Sequence, residues 1–218
     1  MFPVLKINSV LFAMFSLTLM QVSFADSERN LMKEDKVQVK SWNHFVKLSL
    51  DLHHRQVKGK KIKKTEKVGG YRSRPEYYRE VTYTDVKTGR VLSKIQWEQN
   101  QSANVHSIEV FVYNKQGRLV RDYAAAYLPD QRNAPVQTLI NFHTYNGGLH
   151  AFRQFDAGKD IIYESCEGKF NGKDHQLRLF EDDLAATDYD SRQLLKSPVY
   201  KACFKGMPSV PGKYLRPQ

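Results

Sequence analysis

Apolar and polar residues alternate with a period of two through most of the chain between residues 77 and 180. Eight short alternating segments recur, at 77–83, 91–98, 105–113, 119–128, 138–145, 149–155, 161–166 and 176–180. Turn-forming clusters separate several of them: Lys87-Thr88-Gly89-Arg90, Asn114-Lys115-Gln116-Gly117-Arg118, Asn146-Gly147-Gly148, Asp156-Ala157-Gly158 and Asn171-Gly172-Lys173. Strands joined this tightly predict an antiparallel meander of about seven or eight strands. The links are too short for the helical crossovers that a parallel sheet needs.

Two segments break the alternation. Trp42, Phe45, Val46 and Leu50 recur at helical spacing from Ser41 onward and predict a helix whose apolar stripe packs on the sheet. Gly59 and the following lysines are expected to end it, with Gly69-Gly70 as a break before the first strand. Near the other end, Ser197-Pro198 is a helix start signal, with Ser as the N-cap and Pro in the first helical position. Val199 and Cys203 then fall along one face of that helix. The fold expected is therefore α+β: a meander, an N-terminal helix packed on it, and a disulfide-tethered C-terminal helical segment.

Residues 1–25 read as a secretory signal peptide. Lys6 supplies a positive start, residues 10–20 an apolar run, and Ser23-Phe24-Ala25 a small-x-small cleavage pattern. The run is short for a membrane span, which takes roughly 20 residues, and no comparable run follows. Residues 26–40 are polar and are expected to be a flexible lead-in, 41–206 a single domain, and the proline-rich 207–218 an extended tail. Export to a periplasmic or secreted location follows as an expectation. It changes the reading of the only two cysteines, Cys166 and Cys203. An even number in an exported chain predicts one disulfide, closing a loop of about 37 residues.

The formal charge is +11, and the excess is local. Between Arg55 and Arg74 the chain carries nine basic residues against Glu66 alone. Lys58, Lys60, Lys61, Lys63, Lys64 and Lys67 form a candidate anion-binding segment, suited to an anionic surface or polymer. Tyr71 is the one aromatic residue there that could stack on a base, so sequence-specific nucleic-acid recognition is not expected.

Candidate chemistry is sparse. His143 and His150 flank the Asn146-Gly147-Gly148 turn. A two-residue Asn146-Gly147 loop would place them directly opposite each other, within reach of one zinc or copper ion. A Gly147-Gly148 loop shifts the register and is expected to separate them. His53-His54 beside Asp51 can send at most one ring toward any site. His44, His106 and His175 have no readable partner. The chain carries no GxSxG, HExxH, SxxK, Walker or GxGxxG pattern.

Residues 112–119, Val-Tyr-Asn-Lys-Gln-Gly-Arg-Leu, resemble one unit of the YD-type hairpin repeats of secreted β-rich proteins. The likeness implies a hairpin there. The leading expectation for function is a non-enzymatic binding module of the envelope or secreted fraction. Its partner would be an envelope protein or an anionic surface, met by a sheet face and the basic segment. The alternative is a metal-dependent protein or enzyme centred on His143 and His150.

Overall fold

The structure is a computed structural model and describes residues 36–129 and 135–218. The expected signal peptide, and the lead-in as far as residue 35, lie outside the described residues.

Helix α1 runs over Lys36–Val57, so it begins inside the segment expected to be a flexible lead-in. Nine strands follow: β1 Ile62–Tyr71, β2 Arg74–Asp85, β3 Val91–Glu98, β4 Val105–Tyr113, β5 Leu119–Ala126, β6 Gln137–Asn146, β7 Leu149–Phe155, β8 Ile161–Phe170 and β9 Lys173–Phe180. They form one antiparallel sheet in chain order, with β1 and β9 at its edges. Short helices α2 Glu181–Leu184, α3 Tyr189–Lys196 and α4 Pro198–Cys203 come next, then a 3-10 turn at Gly212–Leu215.

The meander is as expected, and β2 to β9 match the eight alternating segments. The ninth strand is the lysine-rich segment. Its composition reads as a loop, yet it pairs with β2 from Ile62↔Asp85 to Gly69↔Tyr78. An edge strand has one side open to water, where lysine side chains stay hydrated and alternation of apolar residues is not required. Gly69-Gly70 does not break the chain; it lies within β1 at a register shift. A Cβ on Gly70 would stand 2.1 Å from the Arg74 carbonyl oxygen, so the hairpin closes only over a glycine.

One face of the sheet is covered. Ile95, Ile108, Val110, Tyr123, Ala125, Ile140, Phe142, Ala151 and Phe155 form the core on it. α1 lies across β3, β4 and β5, burying Phe45, Val46, Ser49, Leu52 and His53. Those positions are spaced three and four apart, the stripe that a helix presents to a sheet. Phe45 meets Tyr123 edge-on at 6.0 Å, and the Tyr127 hydroxyl donates to Asn43 Oδ1 at 2.7 Å.

The C-terminal segment covers the other half of the same face. The Ser197 hydroxyl caps α4 by accepting from the Tyr200 amide, and Pro198 fills the first turn. Cys203 is joined to Cys166 of β8 with Cα atoms 6.0 Å apart. Residues 207–218, expected as an extended tail, instead pack on the domain. Met207 and Pro211 are buried, Tyr214 meets Phe142 at 5.2 Å, and Arg121 donates to the Gln218 carbonyl. Prolines there shape a folded turn, and the apolar residues between them supply its anchor.

A buried charge network lies beneath this cover. Glu164, fully buried, accepts from Arg153 Nε and, at 2.8 Å, from the Tyr200 hydroxyl. Arg153 also donates to the Pro208 carbonyl. Burial and the adjoining Glu164 charge push the Tyr200 phenol well above its ordinary range. Such a group of charges is kept in a core only when each member is satisfied, and here Glu164 ties β8 to α4 and, through Arg153, to the tail.

Candidate functional site

The opposite face of the sheet carries no described element. Strand register places a different set of side chains on it: Glu80, Lys94, Gln96, Glu109, Phe111, Asp122, Asn141, His143, Phe152, Gln154 and Tyr163. Toward β9 it becomes aromatic. His143 meets Phe152 at 5.1 Å, Phe152 meets Tyr163 at 5.9 Å, and Tyr163 meets Phe180 at 5.2 Å between ring centroids. Phe180, on the edge strand, is 60% exposed.

The turn after β6 is Gly147-Gly148, both with positive φ. A tight hairpin turn of this kind needs φ > 0 at both central positions, and two glycines adopt it without steric cost. Asn146 is drawn instead into the strand, where its side-chain amide donates to the Cys203 and Lys205 carbonyls at the end of α4. His143 consequently pairs with Phe152, and His150 with Tyr145. This is the register expected to separate the two histidines. They meet all the same, because diagonal neighbours on one face remain within reach of long side chains.

His143 Nδ1 lies 3.2 Å from His150 Nε2. The ring centroids are 5.5 Å apart and the planes differ by 6°. A centroid separation larger than the nitrogen contact by about two ring radii means that the rings lie end to end in nearly one plane. The two nitrogens therefore point at each other and share a proton. A metal held by both would need them to converge on a third point. Among the described residues no group of three His, Cys, Asp or Glu side chains is placed to hold a metal ion.

The other nitrogen of His143, Nε2, lies 2.8 Å from Asp122 Oδ1. Asp122 Oδ2 accepts from Asn141 Nδ2 at 2.6 Å, and Asn141 Oδ1 accepts from Gln154 Nε2 at 3.0 Å. Proton placement follows from the acceptor at one end. Asp122 accepts on both oxygens, so with a neutral imidazole His143 donates from Nε2 and keeps Nδ1 bare. His150 then donates from Nε2, and its own Nδ1 carries the free lone pair. Burial, then the neighbouring His143, hold His150 below the usual imidazole range, against an opposing pull from Glu167.

Asp122 was not legible as a partner of His143. The contact depends on the pairing Asp122↔Asn141 between β5 and β6, two strands separated by a linker of irregular composition. Asp122 precedes Tyr123 in the alternating segment 119–128, so the two face opposite ways, which is the signal the sequence offers.

The basic residues sit at the far edge of the sheet. Lys58, Lys60, Lys61, Lys63, Lys64 and Lys67 are all exposed. Lys67 bonds to Glu80 at 3.0 Å, which raises its pKa. Lys64 stands over the Tyr83 ring, 5.5 Å from its centroid. Register turns Lys63 and Lys67 toward the open face and Lys64 toward the helix side. They thus surround one edge and do not form a flat patch.

The remaining histidines divide. His53 is buried, with Nδ1 2.7 Å from the Ser93 hydroxyl, while His54 is exposed. His106 is buried at the register shift between β3 and β4, bonded to the Tyr71 hydroxyl and stacked on Tyr78. Among the described residues no helix is long and apolar enough to cross a membrane. Comparison with known protein families, with curated proteins and with solved structures found no match to this chain.

Proposed function

We propose that this protein is an exported, non-enzymatic binding module whose open sheet face and basic β1 edge meet an anionic partner in the cell envelope or secreted fraction. The observation that carries the reading is the one-sided cover. Both helical layers lie on one face, and the other presents an aromatic band ending at the 60% exposed Phe180. Exposed aromatic surface of this kind is typical of contact sites. The disulfide supports an oxidising location. Lys58, Lys60, Lys61 and Lys63 form no ion pair among the described residues, so their charge is open to a partner and to steering it.

The test uses the mature chain, immobilised and exposed to an envelope extract at low and high salt. Capture of a discrete component should weaken when Lys60, Lys61, Lys63 and Lys64 are changed together to Gln, and again with Phe180→Ser. All five side chains are exposed, so the fold should persist. Capture unchanged in both variants would overturn the proposal.

A further inference from the structure

At the β7–β9 end of the open face lies a hollow of about 260 Å³, lined by His150, Phe152, Tyr163, Ser165, Glu167, Gln176 and Arg178 among others. Pockets for drug-sized ligands occupy roughly 300–1,000 Å³, so this one suits a single small ring. Three of its features define what that ring should carry.

The first is apolar. Phe152 and Tyr163, tilted 55° to each other, offer ring faces against which a saturated ring can lay its C–H groups. The second is a cation. Arg178 is exposed, and among the described residues its guanidinium makes no hydrogen bond or ion pair. Glu167 also lines the hollow but forms no ion pair with Arg178, so the guanidinium remains open to a carboxylate from a ligand, which it can grip through two parallel bonds. The third is an acceptor. With a neutral His143, the Asp122–His143–His150 chain puts the proton on His150 Nε2, and Nδ1 has no hydrogen-bond partner among the described residues. Because His150 lines the hollow, that nitrogen can accept from a hydroxyl. Ser165 and Gln176 add neutral donors and acceptors at the rim.

A compact saturated ring bearing both hydroxyls and a carboxylate is an acidic sugar. We infer that the hollow is a binding site for one uronic-acid-type residue of an acidic saccharide. Arg178 takes the carboxylate, His150 Nδ1 accepts a ring hydroxyl, and Phe152 with Tyr163 forms the floor. The inference rests on the reading of the open face as a contact surface and names the ligand class for part of it.

The probe is a tetrameric oligouronate, compared with the same oligomer after reduction of its carboxylates to alcohols. Binding is measured by calorimetry and by the NMR signals of the His150 ring. The oligouronate should bind and shift those signals, and the reduced oligomer should bind about tenfold more weakly or not at all. Arg178→Gln should cost about tenfold for the oligouronate and little for the reduced form. His150→Gln should weaken both. Arg178 is exposed, so unaltered thermal unfolding will show that its variant is folded. Equal binding of the two oligomers, oligouronate binding that ignores Arg178→Gln, or no binding of either would overturn the inference. Lysine-dependent capture from envelope extract alongside any of those results would leave the binding-module proposal standing. Loss of that capture with oligouronate binding intact would remove the proposal and keep the site.

Discussion

Asp122 and His143 are held 2.8 Å apart across two neighbouring strands, and this contact sets the proton positions of both histidines that follow it. In the folded protein, nitrogen NMR should find His143 and His150 each as a single tautomer with the proton on Nε2. Asp122→Asn replaces an acceptor-only group by one that can also donate. His143 should then populate both tautomers, with a stability loss of about 1–3 kcal/mol for disturbing a buried hydrogen-bonded group. A single unchanged tautomer at His143 in that variant would contradict the relay.

Cys166 and Cys203 close a loop of 37 residues. In the chain-entropy account a loop of that length stabilises by about 4 kcal/mol. For a chain of this size, each kcal/mol moves the unfolding temperature by about 2–4 °C. The Cys166→Ala, Cys203→Ala double variant, or reduction of the native protein, should therefore unfold about 10 °C lower. The loss should appear in calorimetry together with exposure of Tyr214, because α4 and the tail are fastened through this bond. An unfolding temperature within 2 °C of the native value would show that the tail packing suffices alone.

His53 makes stability depend on pH. Burial, then the charges of His54 and Lys64, lower its pKa from 6.5 to about 4 in the folded state. Between those values the unfolded chain takes up a proton that the folded chain refuses. The contribution is therefore complete above about pH 6.5 and declines as the pH falls toward 4, where the folded state also protonates. Solvent screens His54 and Lys64, so the loss should be on the order of 1–2 kcal/mol. Urea unfolding at pH 7 and at pH 4.5 should separate less in His53→Gln than in the native protein. Equal separations would assign the acid sensitivity to other groups.

The sequence conveyed those elements whose patterns are local. Alternation marked β2 to β9, and a Ser-Pro pair with a cysteine five residues beyond the proline marked the tethered helix. It failed where the deciding force came from elsewhere in the fold. Lys63, Lys64 and Lys67 have no apolar alternation, yet the hydrogen bonds of β2 draw them into a strand. Residues 207–218 look like a tail because the surface that receives Met207 and Tyr214 is assembled from β6 and α4. At the site, the two histidines were visible as neighbours of a turn. Which turn formed was decided by Gly147-Gly148 and by Asn146 reaching α4, and the carboxylate behind His143 came from a strand that turn chemistry does not reach.

The sheet's strands lie side by side in the order in which they are synthesised. Each strand can add to its predecessor by zipping a hairpin, without waiting for a distant segment, and such local pairing favours quick folding. Two closures depart from that order. α1 must wait for β3, β4 and β5 before its stripe has anything to cover, and the bond between Cys166 and Cys203 must wait for the last helix. A chain that emerges with its amino end first would therefore build its floor progressively and fit its roof in two late steps. The interval between them is when its apolar face is most exposed to unwanted company.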